Sequence, residues 1–142
     1  MPKLAVKRFM TAGPHVVSSE KTLAQAHQTM REKGIRHLPV VDAGKLVGVV
    51  SQRDLYLLET LKGVDVARET IDEAMTADPI TVAPDAPLDE VAEMMAARKH
   101  GSAVVVDRGA VVGIFTTTDA LKALVAVLRG SRRPRDGGED RG

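Results

Sequence analysis

No cysteine occurs in the 142 residues, which excludes a disulfide scaffold, a thiolate zinc site and a cysteine nucleophile together. Aromatic residues make up only 2% of the chain, so its core must be aliphatic and the stacking platforms of single-stranded nucleic-acid binders are nearly absent. No apolar run approaches the ~18 residues of a membrane span. Near the N-terminus Lys3, Lys7 and Arg8 surround only Leu4-Ala5-Val6, short of the ~7 apolar residues of a signal-peptide core. A soluble, cytoplasmic protein with no membrane partner is expected. The four histidines, His15, His27, His37 and His100, show no ligand spacing and no neighbouring carboxylate cluster, so no metal site is expected. Nor can a Ser-His-Asp or paired-carboxylate arrangement be traced, so no catalytic residue and no enzymatic activity are expected.

Hydrophobic residues, by contrast, make up 44%, enough for one compact core of ordinary domain size. The net charge of +1 is unevenly placed: the segment from Arg129 to Gly142 holds five Arg against three acids, leaving 15 basic and 16 acidic residues elsewhere. That Gly/Arg/Pro/Asp segment lacks apolar residues to offset its ordering entropy and reads as a disordered basic tail, 129–142.

A register shift of 65 residues aligns Met10–Tyr56 with Met75–Leu121 without a gap, and fourteen of the 47 pairs are identical, where composition alone gives roughly three. The chain is an internal duplication. Met10-Thr11-Ala12-x-Pro14 matches Met75-Thr76-Ala77-x-Pro79, Val40-Val41-Asp42 matches Val105-Val106-Asp107, and Gly44, Val47, Gly48 and Asp54 match Gly109, Val112, Gly113 and Asp119.

The spacing of Leu23, Ala26 and Met30 predicts a helix opened by a capping box at Thr22-Leu23-Ala24-Gln25 and ended by Gly34. In the second copy Pro87 takes the first helical position, and Lys99 stands where the glycine was, so that end is expected to close differently. Two β-branched runs follow in each copy, Leu38–Val41 and Leu46–Val50, then Ala103–Val106 and Val111–Phe115, joined by hairpin signals at Asp42–Lys45 and Asp107–Ala110. Second helices are expected at Arg53–Leu61 and Thr118–Leu128, with Leu55, Leu58, Leu61, Leu121, Leu124 and Leu128 facing inward. Each copy reads β-α-β-β-α. The expected organisation is an N-terminal segment 1–9, repeats 10–61 and 75–128, a linker 62–74 with a short helix at Glu69–Met75, and the tail.

Gly34-Ile35-Arg36-His37-Leu38-Pro39-Val40-Val41-Asp42 with Leu46–Asp54, and Gly101–Asp107 with Gly113–Asp119, resemble the cystathionine-beta-synthase-type (CBS) domain family. The resemblance covers nearly everything from Met10 to Leu128. It implies an α/β (α+β) fold in which two repeats pack about a pseudo-twofold axis. Independently of it, Ser51-x-x-Asp54 and Thr116-x-x-Asp119 stand where a strand turns into a helix. A hydroxyl at a helix N-terminus suits an anion, and a carboxylate three residues on can accept from vicinal ribose hydroxyls. A helix cap is the simpler reading of one such motif; its repetition favours phosphate and ribose read side by side.

The resemblance further implies two crosswise clefts. One combines Thr116, Thr118 and Asp119 with His15, Val16, Ile35, Arg36 and His37. The other combines Ser51, Arg53 and Asp54 with Ile80, Thr81, His100 and Gly101. Arg36 is a charge-assisted phosphate donor whose counterpart is Gly101, so the Asp119 cleft is expected to bind more tightly. The implied role is a non-catalytic regulatory module that binds AMP, ADP or ATP, with NAD or S-adenosylmethionine ranked behind them and no prosthetic group. It is expected to act in trans on a protein partner and to form a homodimer. Two other readings stay open: a ligand-free structural dimerisation module, and a nucleic-acid regulator acting through Arg132-Arg133-Pro134-Arg135.

Overall fold

The computed structural model describes residues 4–61 and 63–132. Its elements in chain order are β1 (Thr11–Ala12), α1 (Leu23–Lys33), β2 (His37–Asp42), β3 (Lys45–Ser51), α2 (Gln52–Glu59), β4 (Thr81–Val82), α3 (Leu88–Arg98), β5 (Ser102–Asp107), β6 (Ala110–Thr116) and α4 (Thr117–Arg132), with single 3-10 turns at Val6–Arg8 and Ile71–Glu73. The expected mixed α/β architecture of two β-α-β-β-α repeats is therefore present. The short helix expected at Glu69–Met75 is the shorter 3-10 turn Ile71–Glu73. The helix α4 carries residues 129–132 beyond the expected Leu128 boundary, and the remainder of the basic segment, 133–142, lies outside the described residues.

Each hairpin closes through two residues of positive φ, Ala43-Gly44 and Arg108-Gly109, the left-handed pair whose twist suits two adjoining strands. The strands register as Leu38 opposite Val50 and Ala103 opposite Phe115. β5 and β6 form the centre of a four-stranded sheet ordered β1-β6-β5-β4, and β2 and β3 form a two-stranded sheet. The difference is one of extent: β1 pairs with β6 and β4 with β5, and the equivalent partners of β3 and β2 are the single bridges Val49–Thr76 and Val17–Val40.

The duplication runs further upstream than the sequence identities. The Leu88 N–H bonds the Leu4 carbonyl as the Leu23 N–H bonds that of Glu69, and Val6 bonds Ala86 as Ile71 bonds Lys21. Residues 4–10 and 69–75 are thus equivalents, and each crosses to the other half. Val6, Phe9 and Met10 join the core built on Ile80, Val91, Met95, Val105 and Phe115. Ile71, Ala74 and Met75 join the core built on Leu23, Met30, Leu38, Val40 and Leu55. Along the pseudo-dyad Val49, Val104 and Ile114 form a third cluster where the sheets meet.

Three expectations about the helices need correction. Lys99 closes α3 as Gly34 closes α1, in the left-handed region (φ 57 and 66). The following N–H groups of Ile35 and His100 return to Met30 and Met95, and these bonds hold the strained lysine in place. Pro87 is the residue just before α3, one position earlier than expected. The inward leucine stripe holds only for Leu55 and Leu58. Leu61, Leu121, Leu124 and Leu128 are 58%, 59%, 53% and 54% exposed. In α4 the inward positions are Ala120 and Ala123, the repeat counterparts of Leu55 and Leu58. Phe115 replaces Val50 beneath them, so the larger residue on the strand takes up the volume released on the helix.

Candidate functional site

Both Ser/Thr-x-x-Asp motifs sit at helix heads and both make complete capping boxes. At α2 the Asp54 N–H bonds Ser51 Oγ (3.0 Å) and the Ser51 N–H bonds Asp54 Oδ2 (2.9 Å). At α4 the Asp119 N–H bonds Thr116 Oγ1 (3.3 Å) and the Thr116 N–H bonds Asp119 Oδ2 (3.0 Å). Capping therefore uses one oxygen of each acid and leaves Oδ1 of Asp54 for another donor.

The two ends then diverge. Thr116 Oγ1 also donates to Asp119 Oδ2 at 3.2 Å, and Thr11 Oγ1 approaches both Asp119 oxygens at 3.5 Å, the outer limit of a hydrogen bond. Asp119 is only 7% exposed. Asp54 is half-buried, and the Ser51 hydroxyl, which accepts from Asp54, keeps its own proton for an outside acceptor. Arg36 and Arg53 are exposed, and neither has an ion-pair partner among the described residues. Their counterparts at the other end are the uncharged Gly101 and Thr118.

The segment before each strand is tied to the helix head of its own repeat. The Gln52 N–H bonds the Arg36 carbonyl, and the Thr117 N–H bonds that of Gly101. The Arg36 carbonyl is thereby held at the head of α2 in its own repeat. His37 is the residue that reaches both ends. Its Cα partner is Ser51, and its Nε2 lies 3.3 Å from where a Cβ at Gly101 would stand. Burial lowers its pKa below the ordinary histidine value, against the Asp54 and Asp119 carboxylates, which raise it, and with Arg36, which lowers it.

His15, Val16 and Thr81 are exposed and His100 is half-buried. The Ile80 side chain is 1% exposed within the core of the second half, and Ile35 packs on the core of the first. Two residues at the helix heads escaped the candidate set: Thr11, beside Asp119, and Thr117, whose hydroxyl donates to the Gly101 carbonyl at 3.3 Å. The repeated Met-Thr-x-x-Pro motif was the available signal for Thr11. Thr117 had none, because its counterpart is Gln52. No group of three or more His, Asp or Glu side chains among the described residues could hold a metal ion, and no described helix is long and apolar enough to cross a membrane.

The family model described as "CBS domain" matches residues 6–58 and 70–126. The chain is 37% identical over 119 residues to inosine-5'-monophosphate dehydrogenase of Korarchaeum cryptofilum, a match that covers 81% of this chain but 24% of that enzyme. Among curated relatives, an A-adding tRNA nucleotidyltransferase and an L-aspartate semialdehyde sulfurtransferase are matched over only 14% and 23% of their lengths. A crystal structure of the CBS domain pair of protein MJ0100, in complex with 5'-methylthioadenosine and S-adenosyl-L-methionine, superposes with a TM-score of 0.77 at 31% identity and covers 93% of this chain and 100% of that one. One of CBSX2 in complex with AMP gives 0.77 at 29%, covering 88% and 99%.

Proposed function

Since the chain belongs to the CBS domain family, as two domains in tandem, we propose that it is a non-catalytic regulatory module that binds AMP, ADP or ATP at the Asp54 end of its pseudo-dyad and acts on a partner polypeptide. The observation that carries this reading is the inequality of the two helix heads. Ser51 keeps a hydroxyl proton, Asp54 keeps an oxygen, and Arg36 and Arg53 have no ion-pair partner among the described residues. A phosphate has cations and a donor there, and a ribose has an acceptor. Asp119 instead caps α4 and draws Thr11 in from the other repeat, a role in which it holds the halves together. The ligands named for the two related structures, AMP in one and adenosyl thioether and sulfonium compounds in the other, support an adenine base.

Regulation requires that the ligand bind two packings of the halves with different affinity. The dyad is where such a difference would arise, because a ligand there touches residues of both. We further propose that a second copy of the chain covers the exposed apolar faces of α2 (Tyr56, Leu57) and α4 (Leu121, Leu124, Val125, Leu128). Like faces on two repeat-related helices suit a self-complementary contact.

Titration calorimetry with AMP tests the site. Asp54→Ala is expected to weaken binding by about tenfold or more, the equivalent of one charged hydrogen-bond pair. Asp119→Ala is expected to lower the melting temperature with a smaller effect on affinity. The opposite order would return the ligand to the Asp119 end, and absence of heat with AMP, ATP and S-adenosylmethionine alike would leave a structural dimerisation module.

A further inference from the structure

The repeats differ at the residue that opens the first strand of each hairpin: His37 opens β2, and Ser102 opens β5. The His37 backbone lies opposite Ser51, whose capping box contains Asp54. Its ring crosses to the second repeat, where Gly101 leaves room for it; a Cβ there would stand 3.3 Å from Nε2. The Gly101 carbonyl accepts from both the N–H and the hydroxyl of Thr117 at the head of α4. One imidazole therefore adjoins the surroundings of both acids.

The charged groups acting on it are Asp54 from α2, Asp119 from α4 and Arg36 beside it in the chain. His100, next to Gly101, is the other titratable residue on the segment it packs against. Burial together with Arg36 outweighs the two carboxylates, which favours the uncharged ring near neutral pH. A ligand phosphate at Arg36 and Arg53 would bring a third anion to this place, with no formal positive charge on the imidazole to meet it.

Resting on the nucleotide reading above, we propose that His37 is a specificity-determining residue, taking up a proton from solvent as a ligand phosphate binds and so tipping the site toward phosphorylated adenine nucleotides over phosphate-free adenosyl compounds. No bond of the ligand changes, and the imidazole becomes imidazolium. An anion that favours the charged ring must by linkage bind more tightly when the ring is charged. AMP affinity thus rises as pH falls, by at most about tenfold per pH unit for one proton, and the gain ends once His37 is charged in the free protein. Adenosine lacks the phosphate and gains nothing, and S-adenosylmethionine brings a positive sulfonium, which disfavours the uptake.

The test is calorimetry on the full chain with AMP and with adenosine, in two buffers of different ionisation heat, for the wild type and His37→Asn. The AMP phosphate titrates in both chains, so the difference between them isolates the imidazole. The expected result is proton uptake with AMP that is reduced in the variant, none with adenosine, and an AMP-to-adenosine preference that falls by about tenfold in the variant. Equal proton counts in the two chains overturn the proposal and leave the nucleotide reading standing. Absence of binding by either compound removes both. The histidine ring resonances of the wild type provide a check that needs no variant: with AMP, the His37 signal must move toward the charged position at neutral pH, and a signal that stays neutral in the complex overturns the proposal.

Discussion

At Gly48 a side chain is excluded by backbone of the other repeat. An added Cβ would stand 2.7 Å from the Thr76 carbonyl oxygen and 2.8 Å from Met75 Sδ. The Val49 N–H bonds that same carbonyl, and the Thr76 N–H bonds Val49 in return, so the segment cannot retreat without losing its bridge. Gly48→Ala is expected to destabilise the protein by about 1–3 kcal/mol, the usual cost of overpacking, read as a lower urea midpoint. An unchanged midpoint would mean that the crossing segment does not press on β3. Gly113 faces the side chain of Met10, and this pairing of each strand glycine with a methionine 27 or 103 positions away in sequence was not legible from the glycines alone.

Among the elements, α4 departs most from its expected packing. Residues at 121, 124, 125 and 128 fall on one helical face, and all four are exposed in the single chain, whereas the buried face is made of alanines. Amphipathic spacing locates an apolar stripe without saying what covers it. Had the 65-residue register been carried into the helices, Leu55 and Leu58 would have pointed to Ala120 and Ala123 as the inward pair. The triple substitution Leu121→Lys, Leu124→Lys, Leu128→Lys is expected to give monomers in light scattering while leaving the melting temperature of each fold nearly unchanged, since exposed positions usually contribute within about 0.5 kcal/mol each. Retention of the wild-type mass by this variant would place the contact between copies elsewhere.

For the whole molecule, the exchange of residues 4–10 and 69–75 between halves makes the pair one cooperative unit, because each core is incomplete without chain from the other repeat. Deleting residues 1–12 removes Val6, which is fully buried, together with Phe9 and Met10. Each well-buried apolar side chain contributes roughly 1.5–3 kcal/mol, so the truncated chain is expected to lose several kcal/mol and to show early hydrogen exchange in β6, which loses its β1 partner. Wild-type protection in β6 after the deletion would contradict the exchange. The upstream extent of the duplication was hidden because residues 4–9 and 69–74 share no identical pair; only Val6/Ile71 and Phe9/Ala74 are apolar in both copies.

The sequence by itself determined the duplication, the order of strands and helices, the two-residue turns, the capping residues and the two acids, because each is a local pattern of side-chain type and spacing. Tertiary structure alone decided what crosses between the halves: that Thr11 reaches Asp119 and that the His37 ring lies against Gly101. Two equivalent repeats offer every segment two equivalent partners, and the alignment is indifferent to the choice. Chain crossing at the dyad and the volume left by Gly101 break that degeneracy, and they exist only once both halves have folded against each other.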